Sequence, residues 1–252
     1  MPVSAQGCTV VTGAGGGIGA ATAQALALEG WHLVLTDRDR PALEQVRAGL
    51  AAAGALADIL PGDMTQEEDV AAVVAHAAGQ VGGMRGFVAA AGVPGSVQAV
   101  PDYPTDTFKQ VLDVNVVGTF LCMKHGLPAM SGGGSFVAVG STSSIRGRAN
   151  LAGYVASKHA VLGLVRTAAL EHVGTAVRVN AVLPGPTQTA MIDAINDMAA
   201  RRIPSGGRVE RAVSAPLATP AQVADTVVFL LSPASRHLNG SAIVVDGGST
   251  LA

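Results

Sequence analysis

Five glycines fall within Gly13–Gly19, between the apolar run Cys8–Val11 and an Ala/Leu-rich stretch that ends at Glu29. Glycine turns the chain where other residues clash, and it lets backbone amides approach a ligand closely. A strand, a glycine turn and a helix in that order aim the positive end of the helix at an anion, as in the cradles that hold a dinucleotide pyrophosphate. The spacing Gly13, Gly17, Gly19 is Gly-x-x-x-Gly-x-Gly. The stricter Gly-x-Gly-x-x-Gly fits loosely, from Gly15 with Ala20 in the last place. In a chain with 32 glycines the competing reading is a plain strand-to-helix turn. The next apolar run, His32–Thr36, decides between them, because it ends on Asp37, 18 residues after Gly19. An aspartate there accepts hydrogen bonds from the adenosine ribose and repels a 2′-phosphate, which favours NAD over NADP. Arg38 could instead pair with that phosphate, so NADP stays open as the weaker choice. The expected cradle is Gly13, Gly15, Gly16, Gly17, Ile18 and Gly19, with Asp37 and Arg38.

The alternation continues along the chain. Leu56–Leu60, Gly86–Ala90, Ser135–Val139, Val177–Val182 and Ile243–Val245 read as strands. Pro41–Leu50, Thr65–Ala78, Thr105–His125, Ala152–His172 and Ala221–Leu231 read as helices. Thr65, with Glu68 three residues on, looks like a capping box. This order predicts an α/β chain: a single Rossmann-like domain over residues 1–252, a doubly wound parallel sheet with helices on both faces. The irregular stretch is Pro184–Pro220, with a helical piece at Thr189–Ala200; an excursion this long reads as a substrate loop or lid. Met191, Ile192, Ile195 and Met198 recur there at helical spacing, which reads first as packing. Were they to line the site instead, the substrate would have an apolar body.

Charge narrows the partners. Sixteen Lys+Arg against 18 Asp+Glu leave a net −2, with no basic field to attract nucleic acid. With 49% hydrophobic and 13% charged residues the chain is not a disordered one. The two cysteines, Cys8 and Cys122, cannot build a disulfide framework, so a reducing, cytoplasmic location is expected. Met1–Leu28 carries no charge, but it lacks a basic start and its glycines interrupt any apolar run, so neither a signal peptide nor a membrane span is expected. The six histidines show no metal-ligand spacing and read as structural, as does buried Cys8. No metal is expected. The arginines of Arg201–Arg211 read as solvated charges, with a role in holding an anionic substrate as the lesser choice.

Tyr154 and Lys158 stand four residues apart, on one helix face. A phenol titrates near 10, too high for acid–base work at neutral pH unless a neighbouring cation lowers it. Alone, such a pair is commonly just an exposed helical pair. Thirteen residues upstream, Ser141 follows an apolar strand, at the strand end where ligands bind in doubly wound sheets. Asn115 lies in an apolar stretch and needs partners of its own.

With these residues assembled, the chain resembles the short-chain dehydrogenase/reductase family over nearly its whole length. The resemblance rests on Thr12-Gly13-x-x-x-Gly17-x-Gly19, Asp63, Asn115, Ser141, Tyr154-x-x-x-Lys158, Asn180-Ala181-Val182-Leu183-Pro184-Gly185 with Thr189, and Asp246-Gly247-Gly248. It implies oxidoreduction between a secondary alcohol and a ketone. Tyr154 would be the acid–base group, Lys158 would lower its pKa and hold the nicotinamide ribose, Ser141 would orient the substrate oxygen, and Asn115 would support a water-linked proton path. Asp63 and Met64 would contact adenine. Ala91 and Gly92 would border the cofactor, and Pro184, Gly185, Thr187 and Thr189 would flank the nicotinamide. A homotetramer is implied, through helices near Thr105–His125 and Ala152–His172 and through the last strand. The region Ser141–Lys158, with Ile145-Arg146-Gly147, is similar to members acting on small cyclic ketones and diols. One departure stands out: Ala89-Ala90-Ala91-Gly92 replaces the usual Asn-Asn-Ala-Gly, removing side chains that tie the sheet to the cofactor region. Two alternatives stand beside this reading. A 3-oxoacyl carrier-protein reductase needs a basic docking surface, and Ala129–Gly134 and Val173–Val177 contain no Lys or Arg. A non-catalytic nucleotide-binding regulator sits poorly with the intact set of four groups.

Overall fold

The computed structural model describes residues 7–201 and 217–251. Arg202, Arg208 and Arg211 lie outside them. Seven strands run parallel in the order β3-β2-β1-β4-β5-β6-β7: β1 Cys8–Thr12, β2 His32–Thr36, β3 Ala57–Ile59, β4 Met84–Ala89, β5 Gly134–Val139, β6 Val177–Pro184 and β7 Ala242–Val245. Between them lie α1 Gly17–Leu28, α2 Arg40–Ala52, α3 Glu67–Ala78, α4 Thr105–Leu112, α5 Gly118–Ala129, α6 Ala152–Glu171, α7 Ala190–Ala200 and α8 Pro220–Leu231.

The five inner strands are largely apolar runs because both of their faces are buried, while the edge strands β3 and β7 are only partly covered. In β5, Phe136 and Ala138 point into one core with α3, α5 and α6, while Val137 and Val139 point into the other with α1, α2 and α8. Aromatics are scarce, and Phe87 of β4 stacks on Phe136 with ring centroids 5.0 Å apart. The order reverses between β1 and β4, so a crevice opens at their carboxyl ends, where open α/β sheets bind ligands. There a Cβ on Gly13 would lie 2.9 Å from the Ala91 backbone, so only glycine admits this approach.

Four local details differ from expectation. Thr65 does not cap α3: the helix starts at Glu67, and the Thr65 amide and hydroxyl both donate to Asp63 Oδ1, at 2.9 Å each. A carboxylate two residues upstream outcompetes the capping role. The helix expected over Thr105–His125 runs on to Ala129 and is broken by a π turn at Asp113–Val117, closed by the Gly118 amide on the Asp113 carbonyl. The support lost with the two asparagines after β4 comes from the backbone instead, because the Ala90 and Ala91 amides donate to the Thr12 hydroxyl at 3.1 Å each. The α7 stripe is not packing alone, as Met191, Ile192 and Ile195 line the central cleft; Met198 does not.

Cys8 and Cys122 are buried free thiols, both pushed up to about 12 by burial, Cys8 also by the Asp58 charge. His32 and His76 face Asp58, and His125 faces Glu67. Among the described residues no helix is long and apolar enough to cross a membrane, and no cluster of His, Cys, Asp or Glu could hold a metal ion.

Candidate active site

The crevice is a cleft of about 450 Å³ that runs from Asp37, Arg38 and Asp63 at one end to Tyr154 and Arg148 at the other. Gly13, Gly16, Gly17, Ile18 and Gly19 form its floor. Helix α1 starts at Gly17 and is preceded by Gly16, which offers no side-chain cap, so its first-turn amides face the cleft, and nothing stands within 4 Å of where a Gly16 Cβ would be. This is an anion cradle built of backbone, and it fits a dinucleotide pyrophosphate. Gly15 is not on the wall. Its amide donates to Asp37 Oδ2 at 3.1 Å, while Oδ1 accepts the Asp39 amide at 3.1 Å, so the acidic residue is pinned to the turn.

Arg38 reaches across to Asp63, Nη1 to Oδ2 3.3 Å. Burial pushes the Asp63 carboxyl up, but hydrogen bonds from Thr65 and the Arg38 guanidinium outweigh it and hold the group below the usual range. Met64 and the segment Ala91–Gly92 border the middle of the cleft. Pro184, Gly185, Thr187 and Thr189 form the wall opposite the glycine turn, and the Thr189 methyl comes within 3.2 Å of a Gly17 Cβ position. The Thr187 hydroxyl donates to the Gly185 carbonyl at 3.0 Å. The strand-like pairing of Thr187 with Ala218 ties the two ends of the irregular stretch together.

Ser141 follows β5 in extended backbone (φ −167°). Its amide donates to Ser144 Oγ at 3.2 Å and its Oγ accepts the Ser143 amide at 3.0 Å, which fixes the rotamer. Tyr154 and Lys158 project from the first turns of α6 into the same end of the cleft. That turn sits close because residue 153 is glycine: a Cβ there would lie 2.7 Å from the Tyr103 hydroxyl. Burial holds the Tyr154 phenol above its ordinary range, and a hydrogen bond from Ser141 and the Arg148 charge offset this only in part. Lys158 lies over the Tyr154 ring, Nζ 5.7 Å from its centroid, and donates to the Val139 carbonyl at 2.9 Å. Burial pushes its ammonium down to about 8.

Asn115 stands behind the wall rather than on it. It sits in the π turn, where Nδ2 donates to the Val93 carbonyl (3.0 Å) and Ser157 Oγ (2.9 Å), and Oδ1 accepts the Val93 amide (2.8 Å). It thereby clamps the segment after β4 to α6. A π turn rotates the residues that follow it, and such bulges cluster at functional sites. Arg148 is a cleft residue that no motif marks: Ile145-Arg146-Gly147 draws attention to the segment, but nothing in the spacing points to Arg148 itself.

Residues 13–250 match the family model described as enoyl-(acyl carrier protein) reductase. The chain is 35% identical to the 2,5-dichloro-2,5-cyclohexadiene-1,4-diol dehydrogenase of Sphingobium indicum, over 96% of each chain. It superposes on levodione reductase with a TM-score of 0.90, at 32% identity and over 98% of both chains. Its TM-score against a single-residue variant of actinorhodin polyketide ketoreductase with NADPH is also 0.90, at 29% identity and over 97% of both chains.

Proposed function

The chain belongs to the short-chain dehydrogenase/reductase family, and from that premise we propose that it interconverts a small cyclic or aryl secondary alcohol and its ketone, using NAD. It is an oxidoreductase acting on hydroxyl groups, with a nicotinamide dinucleotide as cofactor. The observation that carries the fuller reading is the convergence of Ser141, Tyr154 and Lys158 at the carboxyl end of β5, in the same cleft as the glycine turn. The nicotinamide, when bound, supplies or accepts the hydride. Tyr154 gives its proton to the substrate oxygen in reduction and takes it in oxidation. Ser141 donates a hydrogen bond to that oxygen. Lys158 lowers the Tyr154 pKa once the cleft is filled and holds the nicotinamide ribose, and Asn115 keeps α6 and the segment after β4 in register behind a water-linked proton path. The apolar wall of Leu151, Met191, Ile192 and Ile195 suits a cyclic body.

NAD is favoured because Asp37 is held at the ribose end and Arg38, its neighbour, is engaged by Asp63. The test is a panel of cyclic and aryl secondary alcohols and ketones assayed with NAD(H) and NADP(H), following absorbance of the reduced nicotinamide. Turnover with NAD+ is expected. Replacing Asp37 with Ser should shift the NAD/NADP ratio of kcat/KM toward NADP by roughly tenfold or more, one decade per ~1.4 kcal/mol. Wild-type preference for NADP, or no turnover across the panel, would sink this reading. A carrier-linked substrate is the lesser one, since the loops before β5 and β6 hold no basic residue to dock an acidic carrier.

We read the chain as one dinucleotide-binding unit with residues 184–220 as the substrate loop, located in the cytoplasm, where its free buried thiols are at home. We read it also as a homotetramer. Val117 of the π turn, Phe120 of α5 and Leu170 of α6 are exposed at 41%, 47% and 75%, and β7 is a sheet edge. Exposed apolar faces of this kind mark association surfaces. Light scattering coupled to size exclusion should return four copies; a monomeric mass would refute the assignment.

A further inference from the structure

The ionisable groups of the cleft divide unevenly. At the adenosine end Asp37, Arg38 and Asp63 lie together, with Arg38 paired to Asp63. At the reactive end stand Arg148, Tyr154 and Lys158, and no carboxylate among the described residues lines it. Lys158 has the Val139 carbonyl. The Arg148 guanidinium has neither a hydrogen bond nor an ion pair with any described residue, although it is half-buried on the cleft wall. Its charged neighbour is Arg146, whose Nη1 is committed to the Ser249 carbonyl at 3.0 Å, and the segment holding Ser249 is pinned in turn by Asp246.

A guanidinium stays ionised in proteins and offers a planar fork of donors that matches a carboxylate. Leaving one half-buried, beside a second cation and without a counter-ion, is unfavourable unless something that binds there supplies the negative charge. Tyr154 lies within electrostatic reach of Arg148 on the same wall, so that anion belongs to the molecule whose oxygen Tyr154 serves. The wall between them and α7 is apolar.

We propose that Arg148 is a specificity residue of the substrate end, selecting an alcohol or ketone that carries a carboxylate on an apolar ring. This deepens, and rests on, the oxidoreductase reading above. It places the enzyme among reactions that consume or supply cyclic hydroxy and oxo acids. Arg148 forms a two-point contact with the carboxylate and so orients the ring, leaving Ser141 and Tyr154 to meet the oxygen.

The test separates the two readings. Cyclohexanecarboxylate and its neutral isostere cyclohexanecarboxamide, neither of which can be oxidised, are titrated calorimetrically into the NAD+-saturated protein. The acid should bind at least about tenfold tighter than the amide, as a charge-assisted pair predicts. Arg148→Met should close that gap, and Arg148→Lys should retain part of it. Equal binding of the two ligands by the wild type, no measurable binding of the acid at millimolar concentration, or a gap that survives in both variants overturns the proposal. A parallel assay compares cyclohexanol with 4-hydroxycyclohexanecarboxylate. Failure to oxidise either one counts against the oxidoreductase reading, while the calorimetry still decides Arg148.

Discussion

Tyr154→Phe should lower kcat/KM by about 10²–10⁴-fold, the range over which a positioned acid–base group acts, while the dissociation constant for NAD stays within a few-fold of wild type. The chain has two tyrosines, and the other, Tyr103, is occupied elsewhere: its hydroxyl accepts the Ser96 amide at 3.1 Å and packs on Gly153. Among the other described cleft groups none can replace the phenol. Ser141 is a far weaker acid, and Lys158 is held on the Val139 carbonyl. The ring itself packs in the cleft, and phenylalanine keeps that ring, so the fold and the glycine turn at the far end are untouched. Fluorescence or calorimetric titration with NAD, beside steady-state rates on one verified alcohol, separates the two effects. Activity within a few-fold of wild type would show that the proton travels by another route. Loss of NAD affinity together with activity would show that the substitution disturbed the cleft rather than the chemistry.

Most of the sheet was legible because its inner strands are buried on both faces: Leu33–Thr36 and Phe136–Val139 are short, β-branched or aromatic apolar runs, each buried throughout. The glycine turn was legible from its context, an apolar run before it, an Ala/Leu-rich stretch after it and a second run ending on Asp37; the structure adds the close approach of Gly13 to Ala91 that only glycine allows. The rest depends on competition between groups, which spacing does not reveal. Thr65 has the pattern of a helix cap, yet Asp63 takes both its amide and its hydroxyl. The π turn at Asp113–Val117 keeps ordinary helical residue types on either side, and only the tie from Asn115 to Val93 and Ser157 shows why the register slips there. Gly15 and Asn115 do not line the cleft, and spacing does not show what they hold: Gly15 binds Asp37, and Asn115 ties the segment after β4 to α6. Arg148 was invisible because its meaning is the absence of a side-chain partner among the described residues, which exists only once the chain has folded.

Lys158→Met should produce opposite changes in two quantities: activity falls by about 10²-fold or more, and the cofactor-free protein becomes more stable at pH 7. Lysine titrates near 10.4 when unfolded, and burial in the cleft wall lowers it to about 8. Between those values the unfolded chain binds more protons than the folded one, so stability rises as pH climbs through that window. Below about 8 the folded protein carries the whole cost of the buried ammonium, on the order of 3 kcal/mol for a shift of that size. Methionine is unbranched and apolar, removes the charge, and leaves the Val139 carbonyl without its donor, a loss of about 1 kcal/mol. The balance is a gain of about 2 kcal/mol, which raises the melting temperature by roughly 4–8 °C for a chain of this size. The gain should shrink steadily as the pH is raised from 7 toward 10, because the wild-type lysine then becomes neutral. Melting curves of both proteins at several pH values, taken without cofactor, read this directly. A variant that is less stable at pH 7, or a difference that does not change with pH, would mean that the ammonium is favourably paired in the folded chain. Lys158 would then be a structural anchor that stabilises the fold, and its charge would need no catalytic reason to be kept.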